Sequence, residues 1–320
     1  MIRWGLCCQF LDAPIKFRSA THRYVSGLDP AARRAYLAAI VRDNAAALAQ
    51  AVERCHELGI GAFRINSQIL PLATHPLTGY TLTELDDEEQ GALEAAFAAV
   101  RPLALRLDVR LSFHPDQFVV LNSERESVRD ASVRELEYQS RMAELVGADT
   151  VTLHVGGATG GKEAALERLA RGLDLLSPGA RARLAFENDD RLFSVADLLP
   201  FCRAAGLGLV YDSHHHRCNP DGLSVEEASL RAAETWAARD AALAPAAREP
   251  YFHVSSPRDG WDAANPRPHA DHVALVDLPR VWALLPAVTV DVEAKEKERA
   301  VLALKREVEG VGALPTAEAA

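Results

Sequence analysis

The sequence has no CxxC pair, and its five cysteines, Cys7, Cys8, Cys55, Cys202 and Cys218, are odd in number. That argues against a disulfide framework and predicts reduced thiols in a cytosolic protein. No apolar run approaches the roughly 18 residues needed to span a bilayer. The N-terminal MIRWGLCCQF begins like a strand and lacks a charged segment followed by a long apolar one, so no leader is read there. A soluble, cytoplasmic protein is expected. Lysine is scarce, only Lys16, Lys162, Lys295, Lys297 and Lys305; the remaining positive charge is arginine, the better phosphate fork. Excess positive charge is missing too: the net charge is −10. This excludes a broad basic surface of the kind that holds nucleic acid non-specifically, unless bound dications reverse the local sign. No glycine-rich turn follows the first strand, where CCQFLDAP stands, which disfavours a doubly wound nucleotide-binding sheet. Gly160-Gly161-Lys162 lacks the remaining spacing of a phosphate loop, so no nucleotide site is inferred.

What the chain does have is a long alternation of short apolar runs and helical patterns. Eight strands are predicted: 2–7, 61–66, 109–114, 150–155, 183–188, 207–212, 251–256 and 288–293. Between them lie alanine- and leucine-rich stretches with helical spacing, among them 88–107 and 129–145. Gly59, Gly147 and Gly206 follow such runs, where a helix end favours positive φ. Eight strands alternating with helices in 320 residues predict one parallel (β/α)₈ TIM barrel. The barrel is expected over residues 1–308, with a frayed tail over 309–320.

The polar residues then fall at one end of the strands. The third strand ends in His114, the fourth carries His154, the fifth ends in Glu187 and the sixth in Asp212. The seventh carries His253 and the eighth ends in Glu293. In a barrel these strand ends ring one mouth. A lone strand-end histidine is usually structural; six convergent groups would be costly to desolvate without dications. More than four ligands point to more than one ion, and mixed nitrogen and oxygen donors suit zinc or manganese. Asp212 runs directly into His214, His215 and His216. If that segment is extended, alternation puts only His215 on the face of Ser213 and leaves His214 and His216 as bystanders.

Further stretches narrow the class. SFHPDQFVVLN, TLHVGGATG, LAFENDDRLF, VYDSHHH, FHVSS, RPHADHV and VDVEAKEKE occur in this order. Together they resemble the UV damage endonuclease family, over nearly the whole chain, and that family is similar to endonuclease IV in fold and metal arrangement. The resemblance implies a TIM barrel with two or three metal ions, commonly manganese, at the C-terminal face of the strands. It implies hydrolysis of duplex DNA immediately 5′ to a UV photoproduct, leaving a 3′-hydroxyl and a 5′-phosphate. Carried over, His114, His154 and Glu187 hold one ion. Glu187, Asp212, His253 and Glu293 hold a second, and His215 and His269 contribute to a third. His75 matches an active-site histidine and stands with Glu187 and Lys295 among the catalytic groups. Gln117 and Phe118 match a pair that enters the duplex at the lesion. Arg64, Arg191 and Arg258 lie close enough to strand ends to contact the DNA backbone.

This chain departs from the pattern in places. Phe118 replaces the usual tyrosine, and Tyr251 stands where relatives can carry a modified lysine at the metals. Leu6 and Phe10 stand where polar groups would approach the lesion. The rival readings are an abasic-site endonuclease of the endonuclease IV type, a metal-dependent sugar isomerase or epimerase, and a metal-stabilised binding module. A monomer is expected.

Overall fold

In the computed structural model, which describes residues 1–85 and 91–310, eight parallel strands close in sequence order into a barrel. They are β1 Ile2–Cys7, β2 Ala62–Ile65, β3 Arg110–Phe113, β4 Thr150–His154, β5 Leu184–Glu187, β6 Gly208–Asp212, β7 Tyr251–Val254 and β8 Val288–Val292. Each expected strand is present, shorter by one or two residues at most ends. Among the described residues, no helix is long and apolar enough to cross a membrane.

Two helices differ from expectation or extend it. The run predicted over 88–107 is divided into Ala92–Ala98 and Val100–Leu107. Pro102 explains the break: it has no N–H and its ring clashes with the carbonyl four residues back. Residues 86–90 lie outside the described residues. At the C-terminus, the last helix runs Lys297–Gly310, two residues into the expected tail, and 311–320 lie outside the described residues. Gly59, Gly147 and Gly206 do adopt positive φ, at 65°, 83° and 68°.

The strands alternate with period two. One set of positions packs under the helices: Leu6, Phe63, Leu111, Phe113, Val151, Leu153, Phe186, Leu209, Tyr211, Phe252, Val290 and Val292 all belong to one large apolar core. Leu6 and Phe10 are both buried in that core, and Phe10 stacks on Phe63 at 5.8 Å. The sequence placed them near the lesion; neither is accessible to it, because parity on β1 turns Leu6 into the apolar core and Phe10, beyond the strand end, folds back onto Phe63. The other parity faces the barrel axis, where a small separate cluster of Ala185, Val210, Trp236 and Tyr251 sits. The rest of that interior is polar.

Its floor is an ion pair. The Arg110 guanidinium donates to both oxygens of Asp149 at 3.0–3.2 Å, and to the Glu249 carbonyl at 2.8 Å. It also lies 4.8 Å from the Tyr251 ring centroid. Burial alone would raise the Asp149 carboxyl, but Arg110 outweighs it and holds the group below its ordinary value. A carboxyl depressed in the folded state stabilises above its unfolded pKa, about 3.9, and loses that contribution as pH falls through the folded value. Asp149→Ala leaves Arg110 buried and unpaired. The expected loss is about 3–5 kcal/mol, read as a lower urea midpoint at pH 7; an unchanged midpoint would show that the floor is not held by this pair.

Candidate metal centre

The inner parity that makes the floor polar also builds the roof. On β3 it runs Arg110, Ser112, His114; on β4, Thr150, Thr152, His154; on β7, Tyr251, His253; on β8, Thr289, Asp291, Glu293. Strand register aligns these ends. His154 lies opposite Glu187, Asp212 opposite His253, and His253 opposite Asp291. Residues far apart in sequence therefore reach one level of the barrel because each ends its strand on the same face.

Glu187 is the centre, with 1% of its side chain exposed. Its Oε2 lies 2.8 Å from His114 Nε2 and 3.4 Å from His154 Nε2. Its Oε1 lies 3.0 Å from His253 Nδ1 and 3.3 Å from His215 Nδ1. From there the cluster extends on two sides. His253 Nδ1 is 3.4 Å from Glu293 Oε1, and His269 Nδ1 is 3.7 Å from Glu293 Oε2. His215 Nδ1 is 3.7 Å from Asp212 Oδ2. All eight residues singled out in the sequence as ligands thus form one continuous cluster. Two subsets have donor atoms within 4.8 Å of one another: His114, Glu187 and His253, and Glu187, Asp212 and His215.

The segment after Asp212 is a helix, Ser213–Cys218, not the extended chain assumed from the sequence. Asp212 caps it, accepting the His215 N–H at 2.8 Å. His215 reaches the cluster because a helix brings residue i+3 back toward its cap. The neighbouring histidines differ: His216 is hydrogen-bonded, whereas both ring nitrogens of the buried His214 lack a hydrogen-bond partner. His216 bonds Tyr211 at 2.8 Å and Asp221 at 3.1 Å. The His214 ring packs 5.0 Å from Trp261 and 5.2 Å from His269. Asn188, which the sequence reading passed over, stitches β5 to β6: it accepts the Asp212 N–H and donates to the Asp212 carbonyl, both at 2.9 Å.

The donor set fits divalent cations. The Asp212 Oδ2 atom is buried and lacks a hydrogen-bond partner, as does His154 Nδ1. A buried carboxylate oxygen left unpaired is costly unless a cation meets it. In the metal-free protein, protons serve that purpose. Burial would raise the Glu187 carboxyl, but His253 and His154, with hydrogen bonds from His114 and His215, hold it well below the usual range. Burial would lower His253, but Glu187 and Glu293 push it up to about 9. Burial opposes charge on His215 as well, and Asp212 with Glu187 raises it well above its ordinary value. His154, with less compensation for its burial, is lowered.

The remaining candidates fall in two groups. Arg64 is drawn into the cluster, donating to Glu293 Oε1 at 2.6 Å with its Nε 3.7 Å from Asp291 Oδ2. Its fork orients a candidate ligand. Lys295, two residues beyond Glu293, is exposed, its backbone N–H donating to the Ala270 carbonyl at 3.2 Å. The others stand on rim loops. Arg191 is 70% exposed, and Arg258 is paired with Asp259. Gln117 and Phe118 occupy a turn closed by the Val119 N–H donating to the Asp116 carbonyl at 2.9 Å. Val119 is buried under the turn while Phe118 is 76% exposed, so the aromatic ring is not the loop's anchor. His75 stacks on His22 at 4.2 Å and contacts Thr78 Oγ1 at 3.1 Å. It lines a cleft of about 620 Å³ together with Gln68, Asp116 and Phe118. His75 is thus brought to the Phe118 loop, outside the two ligand subsets.

Comparison with known proteins supplies the family. The sequence model of the family described as UV-endonuclease UvdE matches residues 2–317. The chain is 35% identical over 314 residues to a UV DNA damage endonuclease of Deinococcus radiodurans, covering 94% of each. It is 34% identical over 278 residues to a UV-damage endonuclease of Schizosaccharomyces pombe, covering 83% of this chain and 43% of that longer protein. The solved structure of SacUVDE superposes with a TM-score of 0.82 at 26% identity, over 98% of this chain and 100% of that one. Endonuclease IV from Thermus thermophilus shares the fold, with a TM-score of 0.55 at 22% identity over 82% and 94% of the two chains. A barrel whose inner strand ends meet in one acidic, imidazole-rich cluster, matched over its whole length by this family, belongs to the UV-endonuclease family.

Proposed function

We propose that this DNA repair endonuclease hydrolyses the phosphodiester bond immediately 5′ to a UV photoproduct in duplex DNA, with divalent cations, manganese foremost, held by the Glu187 cluster. The observation that carries the reading is Glu187 itself: one buried carboxylate whose two oxygens are met by four imidazoles within 2.8–3.4 Å. Two or three ions are expected, with His114, His154, Glu187, Asp212, His215, His253, His269 and Glu293 as ligands. Oxygen-rich ligation with several imidazoles suits manganese and also admits zinc.

Hydrolysis breaks the P–O3′ bond; water adds to phosphorus and the departing oxygen leaves as the 3′-hydroxyl. When bound, adjacent divalent cations supply an activated water and offset charge on phosphorus and the leaving oxygen. The protein's residues supply the rest. Glu187 is common to both subsets, with His114 and His154 at one oxygen and His253 and His215 at the other. Arg64 restrains Glu293, and Asn188 fixes the backbone that carries Asp212. Lys295, Arg191 and Arg258 orient the phosphate backbone at the rim. Gln117 and Phe118 fill the space left when the damaged bases turn out. A crosslinked dimer stacks poorly, so extruding it costs less than extruding intact bases. His75 supports that loop from the shared cleft.

Three outcomes test the reading. Glu187→Gln keeps the shape but removes the shared charge. Nicking of a defined photoproduct duplex should fall by more than the about 10–100-fold typical of outer-shell losses, with less manganese bound. Nicking by this variant at the wild-type rate would sink the metal centre, and preferential cutting of an abasic duplex by the wild type would favour the endonuclease IV-type activity. Phe118→Ala should weaken lesion cleavage by the equivalent of about 1–3 kcal/mol of stacking, while bound metal stays constant; equal loss on undamaged DNA would refute a lesion role.

The third outcome follows from the raised imidazoles. His253, pushed up to about 9, carries a proton at pH 7 in the metal-free protein, and His215 is shifted in the same direction. Cation binding needs neutral imidazole, so loading should release protons near pH 7. The release should shrink, and affinity rise, as pH climbs toward 9, the value of His253. Calorimetry of Mn²⁺ binding in buffers of different ionisation enthalpy reads this directly; a buffer-independent enthalpy would contradict it.

A further inference from the structure

Beneath the ligand level lies a layer that neither the sequence motifs nor the proposed chemistry use. Asp291 is fully buried on β8, and its Oδ2 lacks a hydrogen-bond partner. His253, on the adjacent strand and in register with it, is fully buried with its Nε2 likewise unpartnered. The two orphan atoms face each other at 3.9 Å. The opposite ring nitrogen, His253 Nδ1, is the one turned to Glu187 and Glu293.

Asp291 is itself held. The Tyr251 hydroxyl donates to Asp291 Oδ1 at 2.9 Å, and the Ser112 hydroxyl lies 2.9 Å from that of Tyr251. Gly5 leaves the space: a Cβ there would fall 2.1 Å from Asp291 Oδ1. Tyr251 stands two residues before His253 and faces the same interior, yet its hydroxyl stops at Asp291, one level below the mouth. Arg64 Nε lies 3.7 Å from the same Asp291 Oδ2 and offsets its charge, while the short arm of that guanidinium goes to Glu293. That contact is an ion pair without a hydrogen bond, so Oδ2 is still open to accept one from His253 Nε2.

We propose that Asp291 is a positioning residue for His253: it accepts the Nε2 proton and so presents Nδ1 to a divalent cation, with Tyr251 and Ser112 holding Asp291 in place. The inference rests on the metal-centre reading above. Ligating histidines generally donate their other ring N–H to a carboxylate or carbonyl, which fixes ring orientation and tautomer. A small ring shift closes the 3.9 Å gap once Nδ1 is engaged.

Manganese affinity of the purified full chain, followed by the electron paramagnetic resonance of free Mn²⁺, is the main readout. Asp291→Asn, of the same shape, should bind Mn²⁺ about 10–100-fold more weakly, and Tyr251→Phe should show a smaller loss of the same kind. Zinc-loaded wild type, which is diamagnetic, should show the His253 Nε2 proton as a downfield signal slow to exchange in ¹⁵N-edited spectra. That signal should move upfield in both variants. Unfolding midpoints of the metal-free variants separate simple destabilisation from lost positioning. Lower midpoints with wild-type Mn²⁺ affinity would overturn the inference, as would a zinc-loaded wild type whose His253 is bound through Nε2. If Asp291→Asn fails to fold, Tyr251→Phe and the wild-type spectrum still decide. A wild type that binds no Mn²⁺ would instead bring down the metal-centre reading along with this one, whereas normal loading by both variants defeats Asp291 alone.

Discussion

The structure depends on the interaction between one buried carboxylate and the imidazoles around it. An ionised carboxylate taken out of water is stable only if charge or hydrogen bonds meet it from the protein side. Glu187 is met by His114, His154, His215 and His253, and none of these comes from its own strand. The carboxylate can exist there only when β3, β4, β6 and β7 are all in place. The barrel's closure and the site's assembly are therefore one event, and protons or cations stand in for each other at the same atoms.

The rest of the interior follows from the same constraint. A barrel axis lined with Val, Ile and Leu would give the roof nothing to hydrogen-bond. Here polar side chains recur on the inner parity at the floor, the middle and the roof, and Tyr251 links the levels. Its ring lies over Arg110 of the floor and its hydroxyl bonds Asp291 below the ligands. The apolar free energy of folding comes mostly from the outer parity, where the strands meet the helices. That division lets the interior carry charge without leaving the fold short of a core.

Much of this was legible in the sequence, because period-two alternation and strand-end position are one-dimensional signals. The eight strands and six of the clustered residues follow from asking which polar groups end an apolar run; His215 and His269 were placed in the cluster through the family resemblance. The same parity, extended two residues back, would have exposed Asp291 and Ser112, which were missed because only strand ends were searched, and would have tied Tyr251, noted only as a departure from the family pattern, to them. Leu6 was misplaced because its parity was not checked, and Phe10 because the turn at Cys8 carries no period. The helix after Asp212 was hidden because three consecutive histidines carry no period, and the capping carboxylate that starts the helix had been assigned to metal alone. Pro102 did announce a helix break, but composition around it overrode that local signal. The orientation of the His75 loop depends on its stacking against His22, a contact between distant segments that no spacing rule reports.

Where recognition and chemistry sit in the fold also has a physical reason. Candidate ligands stand on strand ends, whose backbone is fixed by neighbours on both sides. Phe118 stands on a turn outside the sheet, anchored by Val119 and otherwise exposed. Hydrolysis requires donor atoms held to a fraction of an ångström, and rigid strands provide that. Entering a distorted duplex requires an apolar ring that can stay in water beforehand and give up little order on insertion, and a short anchored turn provides that. A ring on a strand end could not reach out to the DNA, and a ligand on the turn could not hold its distance. On the proposed reading, the placement of Phe118 and Glu187 on different kinds of element separates contact with the duplex at the rim from the fixed geometry at the centre.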